Sequence, residues 1–107
     1  MITAIFTEEG EKLSLRLEGH AGYAEIGKDT ICSSATILAY TVAQIVVEAE
    51  KQGDLKSSPI IKLDPGDTLI SCEPSDFEMM QNVYQFAKVG YILLQHNYPQ
   101  YVRLIES

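Results

Sequence analysis

The chain has 107 residues, of which 46% are hydrophobic and 21% are charged. This length suits one domain over residues 1–107, and this composition excludes a disordered chain. Fifteen acidic and eight basic residues give a net charge of −7, and the basic residues are scattered singly. A nucleic-acid-binding surface is therefore not expected, and a basic peptide or protein partner suits the charge better.

Two strands are predicted near the N-terminus. The first covers residues 2–7, which are rich in β-branched and aromatic side chains, and a turn follows at residues 8–11. In the second, leucines at positions 13, 15 and 17 alternate with polar residues, which is typical of a strand with one buried face. By the same alternation, His20 leaves this strand on its polar face.

A glycine-rich loop follows the second strand. Gly19, Gly22 and Gly27 lie close together in it. Because glycine adopts positive φ angles readily and loses more entropy on ordering, we expect a mobile loop. Its length favours a lid or binding loop over a tight connection, and Tyr23 within it could contact a substrate.

The most apolar part of the chain predicts a helix after this loop. Asp29 or Thr30 can cap its start, and Gly53 is a signal for its end. Cys32 therefore lies in the first turn. The most apolar run, residues 35–47, contains Thr36, Thr41 and Gln44 and is too short to span a bilayer, which needs about 20 residues. Apolar residues at spacings of three and four predict the buried face: Ile31, Ala35, Leu38, Val42, Ile45 and Ala49.

Two more strands and a second helix are predicted in the rest of the chain. The strands cover residues 59–63 and 68–73, around an Asp-Pro-Gly-Asp turn. Ser75 and Glu78 form a predicted capping box for the helix, which ends before Pro99. A short last strand is predicted at residues 101–105.

The predicted order is ββαββα with a final β. Strand pairs that alternate with helices indicate an α+β fold, built as a single two-layer domain. Both helices are expected to pack on one face of a mixed or antiparallel sheet.

His20 and Cys32 form the candidate catalytic pair. A cysteine is an effective nucleophile as a thiolate, and the unpaired N–H groups and dipole of a helix start favour an anion there. His20 can take the thiol proton and later donate it to a leaving amine. The same N–H groups can stabilise an oxyanion. Asp29 either orients the imidazole or only caps the helix, and the sequence leaves both interpretations open.

The other cysteine and histidine have structural interpretations. Cys32 and Cys72 match neither a CxxC redox motif nor a zinc pattern, so no cofactor and no metal are expected. Cys72 lies in a strand-like run and is expected to be a small buried hydrophobe. His96 lies in the last turn of the second helix, where a cation is favoured. With no secretory signal after Met1, we expect a cytoplasmic protein with reduced cysteines and no membrane association.

Residues 19–36, GHAGYAEIGKDTICSSAT, resemble the motif GHA…G-x-D-I-x-C-x-A-x-S of the Prp family, the ribosomal-processing cysteine proteases. The resemblance implies a small cytoplasmic bacterial peptidase that works as a homodimer. It also implies the substrate, which is the N-terminal extension of ribosomal large-subunit protein twenty-seven. Cleavage would follow an aromatic residue.

The resemblance also assigns roles to residues. It implies that His20 is the general base and Cys32 the nucleophile. Asp29 falls on the aspartate of the motif, and Thr36 stands where the family often has a serine. The isoleucine of the motif is displaced by one position, to Ile31. The glycines that would let the loop close over the peptide are Gly19, Gly22 and Gly27.

Two other classes of function remain open from the sequence. One is a non-enzymatic ribosome-assembly or interaction module, in which His20 and Cys32 are polar loop and cap residues. The other is a thiol acyltransferase or thioesterase that uses the same pair on a small thioester. A thioesterase would need basic residues near the loop for a nucleotide-like carrier, and only Lys28 lies there.

Overall fold

A computed structural model of the chain describes residues 1–25 and 29–106. In this part of the chain the elements follow the order ββαββαβ, as predicted. The strands are β1 (Ile2–Glu9), β2 (Lys12–Glu18), β3 (Ile60–Asp64), β4 (Asp67–Cys72) and β5 (Val102–Glu106). The helices are α1 (Thr30–Lys51) and α2 (Phe77–Asn97). The predicted final strand is therefore confirmed.

The five strands form one mixed sheet in the order β3-β4-β2-β1-β5. The pairs β1–β2, β2–β4 and β3–β4 are antiparallel, and β1–β5 is parallel. The parallel pair arises because α2 carries the chain from β4 to the opposite edge of the sheet. Since β2 is the central strand, the loop that leaves it begins in the best-supported part of the sheet.

The core lies between the sheet and the two helices. Buried and half-buried residues alternate along β1 and β2, with Ile2, Ala4 and Phe6 buried in β1 and Leu13, Leu15 and Leu17 in β2. The register places Phe6 opposite Leu15, so the two sets share one face. Each buried leucine contributes about 1.5–3 kcal/mol through the hydrophobic effect. These side chains pack with the buried faces of α1 and α2, which confirms the α+β fold with both helices on one face.

Helix α1 is longer than the apolar run that predicted it. It has 22 residues, and by length and a mean hydropathy of 1.6 it could cross a membrane. A helix packed on the core of a globular domain passes the same test. The residues that α1 buries in this core are Ile31, Ala35, Ala39, Val42, Ala43, Val46 and Ala49. This packing favours the core-helix interpretation.

The predicted capping box of α2 is wrong. The N-cap is Asp76, whose carboxylate accepts a hydrogen bond from the Met79 backbone N–H at 3.0 Å. Ser75 lies before the cap because its backbone N–H donates to the carbonyl oxygen of Asp54 at 2.8 Å. This contact between segments far apart in sequence moves the helix start by one residue relative to the prediction.

Candidate active site

His20 lies just beyond the end of β2 and is exposed, in agreement with the predicted polar face. The preceding Gly19 has a φ of 84°, and its backbone N–H donates to the carbonyl oxygen of Gly66 at 2.9 Å. A Cβ at position 19 would lie 2.4 Å from the carbonyl oxygen of Met1, so only glycine fits there. The main chain therefore turns out of the sheet at Gly19 and presents His20 beside the β3–β4 turn.

Cys32 lies in the first turn of α1, as predicted, and is half-buried. Asp29 is the N-cap of this helix, and one of its carboxylate oxygens, Oδ1, accepts from the Cys32 backbone N–H at 2.9 Å. The Asp29 carbonyl oxygen accepts from the backbone N–H of Ser33 at 3.0 Å. The N-cap interpretation of Asp29 is therefore confirmed.

The other carboxylate oxygen of Asp29 ties the glycine-rich loop to the helix. This oxygen, Oδ2, accepts from the backbone N–H groups of Tyr23 at 3.0 Å and Ala24 at 3.3 Å. Burial alone raises the pKa of Asp29, but hydrogen bonds from these two N–H groups and those of Cys32 and Ile31 outweigh it, so the pKa is lowered. Among the described residues, His20 does not hydrogen-bond to Asp29, and the orienting role stays a prediction.

Tyr23 joins the loop to the other end of the chain. Its ring packs edge-on against Tyr101, with ring centroids 5.3 Å apart, and against Tyr98 at 6.3 Å. About half of the Tyr23 side chain remains exposed. Gly27, predicted to belong to the same loop, lies outside the described residues. The expected mobility of the loop stays a prediction.

His20 and Cys32 line the same groove, which has a volume of about 500 Å³. One wall is a face of α1 with Cys32, Thr36 and Tyr40 at spacings of four residues, and Ile37 beside them. Gly22 lines the groove on the loop side. A half-buried thiol and an exposed imidazole that line one groove are the side chains that nucleophilic catalysis by cysteine uses, and the apolar wall beside them offers a surface for a ligand.

The sequence analysis missed Ile37 and Tyr40 as groove residues. Ile37 is 61% exposed and Tyr40 is 44% exposed, although both are large and apolar. They lie outside the periodic buried stripe of α1, and this departure from the helical pattern was the available signal. Large apolar side chains left on the outer face of a core helix indicate a binding surface.

Cys72 does not line this groove, and its surroundings differ from those of Cys32. It is 2% exposed in β4, which confirms the predicted buried hydrophobe. Burial raises the pKa of the Cys72 thiol, and a hydrogen bond with the Tyr84 hydroxyl at 3.7 Å lowers it by less. Cys72 is therefore a neutral thiol near pH 7. Within residues 1–25 and 29–106, no three His, Cys, Asp or Glu side chains cluster as metal ligands would.

Replacing Asp29 with alanine is expected to lower the free energy of unfolding by about 2 kcal/mol at pH 7, since both the cap and the loop contacts are lost. The lowered pKa gives the pH dependence. A carboxylate whose folded-state pKa lies below its ordinary value of 3.8 stabilises the fold fully above that value. The contribution is lost as the pH falls through the lowered folded-state pKa. Urea unfolding at pH 7 and pH 3 measures both effects.

Asp76→Ala is the matched control for this prediction. Asp76 is also an N-cap, but it is exposed, and its one side-chain hydrogen bond in the described structure is to the Met79 N–H. We expect a loss of about 1 kcal/mol or less from this cap alone. Equal losses for the two variants would contradict the role of Asp29 in holding the loop.

Known proteins resemble this chain in sequence and in fold. The model of the family described as "Cysteine protease Prp" matches residues 1–103. The structure of the essential ribosomal processing protease Prp from S. aureus with a covalently linked product peptide has 23% identity, a TM-score of 0.81 and 100% coverage of both chains. Its complex with a substrate peptide has 22% identity, a TM-score of 0.75 and the same coverage.

A protein from Streptococcus mutans shares the fold as well. It has 25% identity and a TM-score of 0.64, and the match covers 100% of this chain and 96% of that chain. The search of curated proteins finds no match. The family match spans almost the whole chain, and the fold of the solved structures is consistent with that family.

Proposed function

Because the chain belongs to the Prp family of cysteine proteases, we propose that it removes the N-terminal extension of a ribosomal large-subunit protein, protein twenty-seven. Cys32 is the nucleophile and His20 the general base. The observation that carries these roles is that both side chains line one groove, with Cys32 at the start of α1. The S. aureus relative, described as a ribosomal processing protease and solved with a substrate peptide, supports the substrate class.

The reaction follows from the chemistry of the pair. His20 takes the proton of Cys32, and the thiolate attacks the peptide carbonyl carbon to form a tetrahedral intermediate. His20 then donates the proton to the leaving amine, and a thioester between Cys32 and the N-terminal extension remains. Water, deprotonated by His20, hydrolyses the thioester and restores the thiol.

The helix start contributes less to this reaction than its sequence suggests. The backbone N–H of Cys32 already donates to the Asp29 carboxylate. Stabilisation of an oxyanion by this group would require breaking the cap. The Asp29 carboxylate also uses part of the positive field of the helix start, so formation of the thiolate depends more strongly on His20.

The groove and the charge suit a basic peptide with an aromatic residue before the cleaved bond. Ile37 and Tyr40 offer exposed apolar surface next to Cys32. A protein with net charge −7 attracts a basic ribosomal protein.

Peptide cleavage tests the proposed function directly. The protein is incubated with a synthetic peptide that spans the N-terminal processing site of the ribosomal protein, and the products are identified by mass spectrometry. We expect cleavage at one bond, after an aromatic residue. The matched peptide with alanine in place of that aromatic residue should be cleaved much more slowly. A peptide that stays intact with the wild-type protein would reject the proposal.

We also propose that the protein acts in the cytoplasm as a homodimer, associating through α2. Its exposed face carries Phe86, which is 80% exposed, together with Val89 and Leu93. No acidic residue occurs from Met79 to Asn97, although the chain as a whole is strongly acidic. Two equally acidic copies meet less charge repulsion at such a face than at a face with acidic side chains.

Replacing Phe86 with glutamate is expected to convert the dimer to a monomer, because it places a charge in the centre of this apolar face. Light scattering over a wide range of concentrations measures the mass. Gln100→Glu adds the same charge at an exposed position outside α2 and should leave the dimer intact. A wild-type protein that is monomeric at every concentration would contradict the homodimer.

A further inference from the structure

Gly66 contacts the imidazole of His20, although the two residues belong to different parts of the chain. A Cβ on Gly66 would lie 2.7 Å from His20 Nε2, 3.2 Å from Cε1 and 3.3 Å from Cδ2. The Nε2 end of the ring therefore occupies the space that any other side chain at position 66 would need. We propose that Gly66, in the turn between β3 and β4, is a positioning residue for His20. The inference rests on the proposed role of His20 as the general base.

A main-chain hydrogen bond brings the His20 ring close to Gly66. The backbone N–H of Gly19, the residue before His20, donates to the carbonyl oxygen of Gly66 at 2.9 Å. Gly66 itself has a φ of 73°, which favours glycine. The end of β2 and the β3–β4 turn are thus joined by a hydrogen bond at the point where the imidazole meets the turn.

Charged side chains hold the turn in place. Asp67, which follows Gly66, accepts a hydrogen bond from Lys62 at 2.5 Å and lies 3.6 Å from Arg16. The hydrogen bond from Lys62, and to a smaller extent the charge of Arg16, keeps the pKa of Asp67 below its usual range. Arg16 lies on β2, the strand that leads to His20. The same turn is therefore connected to β2 by its backbone and by an ion pair.

This support matters because His20 is an exposed side chain. An exposed imidazole samples several rotamers unless a neighbour limits them, and the backbone of Gly66 limits the ring on one side. A Cβ at position 66 would have to displace the Nε2 end of the ring by roughly 0.7 Å to reach an ordinary van der Waals distance of about 3.4 Å. A misplacement of about 1 Å in a catalytic group can cost on the order of 10²-fold in rate.

Gly66→Ala and Gly53→Ala form a matched pair of variants. Gly53 has a φ of 75°, and nothing lies within 4 Å of the Cβ that would be added there. Both variants carry the strain of alanine at positive φ, but only one pushes against His20. We expect similar losses in Tm, and a fall in kcat for peptide cleavage of about 10- to 100-fold in Gly66→Ala alone, with KM little changed.

Nuclear magnetic resonance of the histidine ring protons separates this inference from the proposed function. The His20 signal should move in Gly66→Ala and stay in place in Gly53→Ala, with His96 as an internal reference. This readout holds even if the wild-type protein cleaves no peptide, an outcome that would reject the proposed function only. Should Gly66→Ala fail to fold, Gly66→Asn replaces it, since asparagine tolerates positive φ and also carries a Cβ.

Two results would overturn the positioning role. One is equal cleavage by the Gly66 and Gly53 variants, and the other is a loss confined to KM. An unchanged His20 signal in Gly66→Ala would reject the contact itself.

Discussion

Replacing Cys32 with alanine is expected to abolish peptide cleavage, with a fall in kcat/KM of about 10⁴-fold or more, because the nucleophile is removed. The fold should survive the change. Asp29 caps α1 through the backbone N–H of Cys32, at 2.9 Å, and not through its side chain. Alanine keeps that N–H group and has the higher helix propensity. Cleavage is followed by mass spectrometry and folding by thermal unfolding.

Cys72→Ala is the control for this prediction. Cys72 is buried, and its raised pKa keeps the thiol neutral near pH 7. The variant should lose some stability because a small cavity forms, but it should cleave the peptide at the wild-type rate. Cleavage that survives Cys32→Ala, or that disappears in a folded Cys72→Ala protein, would contradict the assignment of the nucleophile.

Alkylation gives a second measure of the same difference. Iodoacetamide reacts with the thiolate, and it must reach the sulfur. In the native protein at neutral pH, Cys32 in its open groove is expected to react well before Cys72 in the core. Labelling of the two cysteines at equal rates would show that Cys32 is not activated.

Periodic patterns predicted the parts of the structure that depend on local sequence. The alternation of Leu13, Leu15 and Leu17 was sufficient to place β2 in the sheet with the correct face buried. It was also sufficient to predict that His20 would be exposed. The short polar side chains of Asp29 and Thr30 before an apolar run placed the start of α1 to within one residue, and with it the place of Cys32; the structure identifies Asp29 as the cap. Both features depend on residues that are close in sequence.

Contacts between distant segments could not be predicted in this way. Nothing near Gly66 in the sequence indicates that a histidine ring will lie against it, because the contact depends on the pairing of β2 with β4. The predicted start of α2 was wrong for the same reason. Ser75 and Asp76 are both good capping residues, and the hydrogen bond from Ser75 to Asp54 decides between them.

The sequence also could not predict that the Asp29 carboxylate both caps α1 and accepts hydrogen bonds from the loop. This arrangement changes the expectation for the catalytic pair. A free helix start would stabilise a thiolate by itself, through its N–H groups and dipole. In this protein the Asp29 carboxylate accepts from the backbone N–H of Cys32 at that start and places a negative charge near Cys32. We therefore expect activation of the thiol to depend on the imidazole of His20.

Replacing His20 with alanine is accordingly expected to lower kcat/KM by about 10²- to 10⁴-fold, the range that general acid–base catalysis contributes. The rate at which iodoacetamide labels Cys32 at neutral pH should fall with it. His96→Ala is the matched control, because His96 is exposed in the last turn of α2 and does not line the groove. Its cleavage and labelling rates should equal those of the wild type.

The rate of peptide cleavage and the rate of Cys32 labelling together show at which step His20 acts. If His20 activates the thiol, the loss of cleavage and the loss of labelling occur together, and raising the pH restores the labelling because hydroxide then removes the thiol proton. If His20 acted only on the leaving amine, labelling would stay at the wild-type rate while cleavage fell. Labelling that is unchanged in His20→Ala would thus assign thiolate formation to the helix start, in spite of the carboxylate of Asp29 that already occupies it.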